Sequence, residues 1–591
     1  MNTGQCLLKR RPAVSVMSSA RLLLVLVFAG ACSLESVESY LIAGLVVDSQ
    51  SHAPLSNVRV SLAPAAALAQ KLEQVTKQDG RFSFVVSKAG KYSLRIAKPG
   101  YPLQGYRQAG FVGVQSAIVA GDDQDTGHVV FEASRGGAIT GQIKDEKSEP
   151  VGNALVSVFQ SSIVGGERKI ITRGQTRAND AGEFRLSYLP RGNYYVCAMG
   201  RPWFADSLIQ FQELQESVNR SFQRVTGPAQ STLRPEPSDG QPVEPDQSAP
   251  KYSPDPSLGG TAFLTTFYPR ARSVEEATLI RVYAGGETQV SITLPLTKGV
   301  TAKGTISVPG EMSEGRANLY KKVYDQYMLF LEGWVSKEGA FQFKNVPAGS
   351  YEIVATSDAA SGASSWHIRQ EVEVGAFDIE VTLRPPPMGS VSGHVLFEGE
   401  RPASTATLFV SLRNERGTVV RNQVDLEGSF SLSRLAAGRY EVTAGSADYI
   451  AAYFAGPGGE HLPLTLEVAS GENVRRELML TRAVSMIKGT VENAGVPQIG
   501  AFVLLMPKDR SQRWAYRVDQ TDTDGSYSLA TIPSGDYFLI ALSDGTDVAY
   551  RDAKVGAMLT RVAKQVHVEP GHHLEMKVDV VGAATLNLPL L

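Results

Sequence analysis

The sequence predicts an all-β protein built from five β-sandwich domains in tandem. A short pattern rich in glycine and aromatic residues recurs five times, a glycine-bearing strand precedes each copy, and turn signals return about every ten residues. A chain of 591 residues is too long for one hydrophobic core. Its 56 glycines and 31 prolines favour turn-rich β structure.

The recurring pattern reads glycine, any residue, aromatic, seven residues, glycine, any residue, tyrosine. Apolar residues alternate on both sides of its centre, which predicts two strands joined as a β-hairpin. Three copies carry Pro-x-Gly between these strands, which is typical of a tight turn. The matching residues are Gly80, Phe82, Gly90 and Tyr92; Gly182, Phe184, Gly192 and Tyr194; Gly339, Phe341, Gly349 and Tyr351; Gly428, Phe430, Gly438 and Tyr440; and Gly525, Tyr527, Gly535 and Tyr537.

Each copy is preceded by a strand with one glycine and is followed by an alternating strand that ends the domain. The strand glycines are Gly44, Gly141, Gly304, Gly393 and Gly489. The predicted domains cover residues 39–134, 135–296, 297–386, 387–483 and 484–581, with a tail at 582–591.

The second domain is longer than the others and carries an insertion at 204–260. Apolar residues at helical spacing predict an amphipathic helix over 205–225. The following segment is rich in proline, serine and acidic residues, which predicts a disordered or extended loop.

The N-terminus reads as a signal peptide at 1–31. Basic residues precede the apolar run "LLLVLVFAGA", and Ala29 and Ala31 satisfy the small-residue rule for cleavage before Cys32. The run is too short to cross a bilayer, which takes about 20 residues, and no later stretch is long enough. Cys32 is also a candidate lipidation site, so a lipoprotein and a freely secreted protein both remain open. Either way the protein is exported, to the medium or to the cell envelope.

The strand "IAGLVV", the segment "PLSNVRV" and the repeat itself resemble the carboxypeptidase regulatory-like domain. The resemblance extends over nearly the whole mature chain. The chain as a whole resembles the multi-copy, exported bacterial proteins that contain this domain. It implies Ig-like or prealbumin-like sandwiches, similar to transthyretin and to the B-type repeats of bacterial collagen adhesins. The family's fold is described as carbohydrate-binding-like, so the resemblance implies carbohydrate or protein binding and no peptidase activity.

No catalytic, cofactor-binding or metal-binding constellation is expected from the residues. The spacing of His572 and Glu575 is that of a zinc peptidase motif, but no third histidine ligand follows in the sequence. Cys197 lies in an apolar strand and reads as a buried small side chain. Asp522 begins "DTDG", but Pro533 stands at position twelve, where an EF-hand loop needs Glu, so the segment reads first as an acidic turn. Whether the carboxylates of this turn bind calcium stays open.

The sequence therefore favours a non-catalytic surface protein that acts in adhesion, envelope scaffolding or ligand binding. The alternatives are an array of carbohydrate-binding modules, with Trp366 and Trp514 as candidate glycan contacts, and an accessory partner of an exported peptidase. The expected partners are a polysaccharide or an extracellular or envelope protein. Nucleic acid is excluded because the net charge is −2 and no basic stripe is present.

Overall fold

The computed structural model describes residues 39–108, 115–202, 204, 260–308, 314–357, 366–405, 407–446, 448–482, 485–543, 545–582 and 584–586. The predicted signal peptide, Cys32, the predicted helix at 205–225 and the proline-rich segment lie outside the described residues. The described part is all-β apart from one α-helix and three short 3-10 turns.

The strands fall into five sets, called units 1 to 5, and each set has its own hydrophobic core. The exact domain boundaries remain a prediction. Unit 1 consists of β1 (Tyr40–Asp48), β2 (Arg59–Pro64), β3 (Leu72–Val75), β4 (Arg81–Val86), β5 (Gly90–Lys98), β6 (Tyr101–Gly105), β7 (Ile118–Ala120) and β8 (Val129–Ala133). One sheet has the order β4-β1-β8, and the other β3-β2-β5-β6 with β7 also paired to β5.

Unit 2 repeats this plan with the order β12-β9-β17 in one sheet and β11-β10-β13-β15 in the other. Its strands are β9 (Gly137–Asp145), β10 (Leu155–Val164), β11 (Glu167–Arg177), β12 (Glu183–Leu189), β13 (Gly192–Met199), β14 (Thr261–Phe263), β15 (Thr266–Phe267), β16 (Ile280–Val282), β17 (Glu287–Leu294) and β18 (Leu296–Lys298). β16 pairs with β13, and β14 with β18.

Unit 3 has the sheets β22-β19-β25 and β21-β20-β23-β24. Its strands are β19 (Val300–Ile306), β20 (Gly315–Val323), β21 (Gln326–Val335), β22 (Ala340–Val346), β23 (Gly349–Thr356), β24 (His367–Val374) and β25 (Ile379–Leu383).

In units 4 and 5 the two sheets join into one curved sheet. Unit 4 has β26 (Gly389–Glu398), β27 (Phe409–Asn414), β28 (Val419–Gln423), β29 (Ser429–Leu435), β30 (Gly438–Gly445), β31 (Tyr449–Ala455), β32 (His461–Leu462), β33 (Thr465–Val468) and β34 (Asn473–Arg482). Unit 5 has β35 (Ser485–Asn493), β36 (Val496–Pro497), β37 (Phe502–Pro507), β38 (Arg517–Gln520), β39 (Ser526–Ile532), β40 (Gly535–Leu542), α1 (Ala553–Thr560), β41 (Lys564–Val568), β42 (His573–Glu575) and β43 (Val578–Val581). The junctions are β31 beside β34, and β43 beside both β35 and β40.

The predicted β-hairpin within each repeat is wrong. In every unit the first strand of the repeat pairs with the unit's first strand, whereas the second strand of the repeat belongs to the facing part of the sandwich. The connection therefore crosses from one sheet to the other. This arrangement points the aromatic residue and the tyrosine of the repeat into the same core from opposite sides, whereas a hairpin would place both on one sheet.

The helix α1 in unit 5 was not predicted from the sequence. Asp552 caps its N-terminus by accepting hydrogen bonds from the backbone N–H groups of Lys554 and Val555, at 2.8 and 3.0 Å. Val555 and Leu559 of the helix pack with Phe502, Leu504 and Ile540 of the sheet. The helix thus covers the outer face of a sheet whose inner face already lines the main core, which explains why β37 is buried along its whole length.

Candidate functional site

The strand glycine and the aromatic of each repeat form one cross-strand pair. In the register of the five sheets, Gly44 lies opposite Phe82, Gly141 opposite Phe184, Gly304 opposite Phe341, Gly393 opposite Phe430 and Gly489 opposite Tyr527. A strand near the end of each unit runs parallel to this first strand on its other side, namely β8, β17, β25, β34 and β42 in units 1 to 5. A Cβ on any of the five glycines would overlap a carbonyl oxygen of the chain segment on that side. Glycine is therefore required by close approach rather than by a turn.

The second half of the repeat has equally constant geometry. The second glycine has a φ between +144° and +155° in all five copies, a backbone conformation that disfavours other residues. Two residues later, the tyrosine hydroxyl donates to the backbone carbonyl four residues before it, at 2.5 to 2.9 Å. This is the same kind of contact as the tyrosine corner of other sandwiches. The repeat therefore builds the sandwich and presents no reactive group.

Units 1 and 2 meet at a buried carboxylate. Asp48 accepts hydrogen bonds from the Tyr101 hydroxyl and from Nε of Arg135, both at 2.7 Å. Burial acts to raise the pKa of Asp48, but these bonds and those from the backbone of Ser51 and Gln50 outweigh it, and the pKa lies well below its usual value. Arg135 belongs to the connection between the units, so the pair fixes that connection to unit 1.

Units 2 and 3 meet through an aromatic side chain at the tip of the β20–β21 hairpin. Tyr324 lies at this tip, with its ring centroid 5.0 Å from that of Phe159 and 6.0 Å from that of Phe267 on the outer face of unit 2. Val323 and Met328 flank it and join the same buried cluster. The outer face of this sheet is thus covered by the next unit.

Units 3 and 4 meet in the same way, with charge in place of aromatic packing. Arg416, at the tip of the β27–β28 hairpin, forms an ion pair with Glu352 of unit 3, whose exposure is only 1%. Arg369 reaches the other oxygen of Glu352 at 3.3 Å. The guanidinium of Arg416 also lies 4.9 Å from the ring centroid of Tyr327. A buried carboxylate with two arginine partners makes this contact specific.

The structure corrects one of the two candidate glycan contacts. Trp366 is only 5% exposed and belongs to the core of unit 3, so its ring presents no face to a ligand. Trp514 is half-buried against the core of unit 5, and its role stays a prediction. The polar neighbours of Trp366 in the sequence suggested exposure, but the side chain faces inward from the residue that precedes β24.

A different tryptophan is exposed. Trp334 on β21 is 74% exposed, and the guanidinium of Arg316 on the neighbouring strand lies 5.1 Å from its ring centroid. Two residues away on the same strand, Glu332 lines a groove of about 310 Å³ between units 2 and 3, together with Asn153, Arg177, Arg201 and Phe330. Strand alternation in β21 was the signal that could have identified Trp334.

The described residues offer no group of three histidine, cysteine or acidic side chains that could hold a metal ion. His573 and Glu575 are exposed at the ends of β42, and Nδ1 of His572 lies 3.2 Å from a carboxylate oxygen of Glu569. Cys197 is fully buried between units 2 and 3, and burial raises the pKa of its thiol to about 12, so it is no nucleophile at neutral pH. Among the described helices, none is long and apolar enough to cross a membrane.

These features define a class of protein: a series of cored β-sandwiches joined by side-chain contacts. Residues 41–121, which make up most of unit 1, match the family model of the carboxypeptidase regulatory-like domain. The chain thus contains a carboxypeptidase regulatory-like domain followed by further β-sandwich units. The comparison with curated proteins gives no match.

Solved structures with some similarity to this chain include pilins of Gram-positive bacteria. The minor pilin of Streptococcus agalactiae is 14% identical, with a TM-score of 0.21, and the alignment covers 31% of this chain and 96% of that one. A streptococcal ancillary pilin is 11% identical, with a TM-score of 0.18 and coverages of 47% and 98%. The TIE protein of Bacillus anthracis is 13% identical, with a TM-score of 0.14 and coverages of 76% and 69%.

Proposed function

We propose that this chain is an exported, non-catalytic scaffold protein of the cell surface. The observation that carries the proposal is the recurrent contact in which the hairpin of one unit covers the outer sheet face of the unit before it. Tyr324 makes this contact between units 2 and 3, and Arg416 makes it between units 3 and 4. Sandwiches fixed to one another hold a defined spacing, which a scaffold or an adhesin requires and a flexible string of domains does not provide.

The contact between units 3 and 4 is expected to weaken in the variant Arg416→Ala. Glu352 then keeps only Arg369 as a partner inside a buried site, which costs about 2–3 kcal/mol of contact free energy. Cleavage by a broad-specificity protease in the connection at 384–388 should accelerate at least tenfold. Arg413→Ala, an exposed arginine on the same hairpin, is the matched control and should leave the rate unchanged. Equal rates in wild type and Arg416→Ala would argue against a fixed junction.

Export and anchoring follow from the N-terminal sequence and are part of the proposal. Cells that produce the wild-type chain should incorporate labelled fatty acid into it. After extraction with detergent and phase separation, the labelled protein should be found in the detergent phase. The Cys32→Ala variant should lose the label and appear in the medium. An unlabelled wild-type protein in the medium would show secretion without an anchor, and a product that stays inside the cell would exclude export.

A second candidate function, carbohydrate binding, is favoured by the exposed ring of Trp334. An exposed aromatic face beside a polar groove with Arg177 and Glu332 is suited to stack against a sugar ring and to bond its hydroxyl groups. Affinity electrophoresis of the mature chain through gels containing different polysaccharides tests this function. The expected result is retardation in at least one gel that Trp334→Ala abolishes. Phe377→Ala, which removes another exposed ring in the same unit, is the control.

Uniform mobility in every gel would remove the carbohydrate function and leave the scaffold function in place. An accessory role beside an exported peptidase is the remaining alternative, and co-purification of a peptidase with the full chain would support it.

A further inference from the structure

A turn of unit 5 lies against unit 1, although almost the whole chain separates them in sequence. The backbone N–H of Ala117 donates to Oδ1 of Asp522 at 2.7 Å. The backbone N–H of Thr523 donates to the carbonyl of Ala117 at 3.1 Å, and that of Val119 donates to the Thr523 hydroxyl at 2.9 Å. Three backbone N–H groups therefore have their hydrogen-bond acceptors across a contact between the first and the last unit.

Side chains around these bonds complete the interface. The hydroxyl of Ser116 donates to the carbonyl of Thr521 at 2.8 Å, and the amide of Gln520 donates to the carbonyl of Arg107 at 2.5 Å. Ser116 and Thr521 are fully buried, and Gln520 is 2% exposed. Most buried polar groups in proteins have hydrogen-bond partners, and here the Ser116 hydroxyl and the Gln520 amide nitrogen find theirs across the contact between the units.

A charge pair lies at the centre of the same contact. Lys91, on β5 of unit 1, forms an ion pair with Asp522, whose exposure is only 5%. Both carboxylate oxygens of Asp522 are thus engaged by unit 1, one by Lys91 and the other by the Ala117 amide. The turn that left calcium binding open in the sequence uses this carboxylate for a contact between units.

Unit 5 also contacts unit 2. The backbone N–H of Arg551 donates to the carbonyl of Gly166 at 3.0 Å, and Arg513 forms an ion pair with Glu167. Gly166 and Glu167 lie at the tip of the β10–β11 hairpin, the counterpart in unit 2 of the hairpins that carry Tyr324 and Arg416. The hairpins with Tyr324 and Arg416 each contact the unit before their own. The hairpin of unit 2 instead contacts unit 5, at Arg513 and at Arg551, which lies just before α1.

We infer that the chain is closed within one molecule, with the surface around Lys91 and residues 116–119 of unit 1 acting as the receptor for the Asp522 turn of unit 5. The hairpin of unit 2 provides the second support of the docked unit. Closure holds the first and last units side by side, so the protein is a closed particle rather than an extended string.

Amide hydrogen exchange on the full mature chain tests closure directly, because the Ala117, Val119 and Thr523 amides are bonded across the contact. In wild type, peptides spanning 115–120 should be protected. In Asp522→Ala their exchange should accelerate at least tenfold. Asp524→Ala is the matched control, because within the described part of the chain the Asp524 carboxylate accepts a hydrogen bond only from the Ser526 amide of its own turn. Lys91→Glu repeats the test from the side of unit 1, so a folding defect in unit 5 cannot produce the result.

Protection in wild type that both Asp522→Ala and Lys91→Glu remove, and that Asp524→Ala keeps, supports closure. Unprotected amides at 115–120 in wild type would overturn it. Protection that grows with protein concentration would also overturn it, because the Asp522 turn would then come from a second copy of the chain.

Discussion

Unit 3 should lose a large share of its stability when Gly304 is replaced by alanine. A Cβ at this position would overlap the carbonyl oxygen of Val381 on the parallel strand β25 and would lie 2.6 Å from the ring of Phe341. Replacement of an exposed strand glycine by alanine usually increases the free energy of unfolding by about 0.5–1 kcal/mol. Here the overlap involves backbone that cannot move without breaking the sheet, and we expect a net loss of about 3 kcal/mol or more. The measurement is hydrogen exchange of the peptides covering 300–306 and 340–346 in the full chain.

The matched control is Gly375→Ala in the same unit. A Cβ on Gly375 meets no atom of the described residues within 4 Å, so this substitution should change the stability of unit 3 by less than about 0.5 kcal/mol. Exchange in Gly304→Ala as slow as in the control would contradict the close approach of β25. Because the equivalent glycines pair with the aromatic residue of the repeat in all five units, the result would extend to Gly44, Gly141, Gly393 and Gly489.

The second large effect is expected at the tyrosine of the repeat. Tyr351 is 1% exposed, its ring packs against Phe330 at 5.7 Å between centroids, and Nζ of Lys321 lies 4.3 Å from its ring centroid. Replacement by alanine leaves a cavity in the core of unit 3 and should cost about 3–5 kcal/mol. A loss of this size is a large share of the stability of a single domain, which is roughly 5–15 kcal/mol. Chemical denaturation monitored by hydrogen exchange in unit 3 measures it.

The variant Tyr351→Phe separates the ring from the hydroxyl. It removes only the hydrogen bond to the carbonyl of Pro347, so the expected loss is about 1 kcal/mol. Burial raises the pKa of Tyr351, so its hydroxyl stays protonated and remains a donor at physiological pH. A loss in Tyr351→Phe as large as that in Tyr351→Ala would assign the effect to the hydroxyl. Phe377→Ala, at an exposed position of unit 3, should have no effect on stability.

Much of the fold could be predicted from the spacing of a few residue types. Gly304 and Phe341 are 37 positions apart, yet both were visible as landmarks because their counterparts recur in every unit. The sequence showed that the landmarks repeat but not that they touch, because pairing between distant strands is set by the whole sandwich. The sequence predicts a hairpin in the repeat because adjacent strands joined by a tight turn usually pair with each other. That local rule fails here because the whole sandwich decides which strands pair.

Less of the candidate site could be predicted. Polar residues surround Trp366 in the sequence and make it a candidate glycan contact, but a single side chain can face the core from within a polar segment, and Trp366 does so. Trp334 lies in the apolar-looking segment "YMLFLEGWV", where a register shift between β20 and β21 disturbs the alternation before Glu332, so only the last residues of β21 carry that signal. The contacts of Arg416 and Asp522 depend on the arrangement of whole units, and no local pattern in the chain records that arrangement.

The contact between Asp522 and unit 1 has a consequence for how the protein would be displayed on a cell. If the lipid is attached at Cys32, the membrane lies next to unit 1, and the last unit returns to the same side. The distance from the membrane then does not increase with position along the chain.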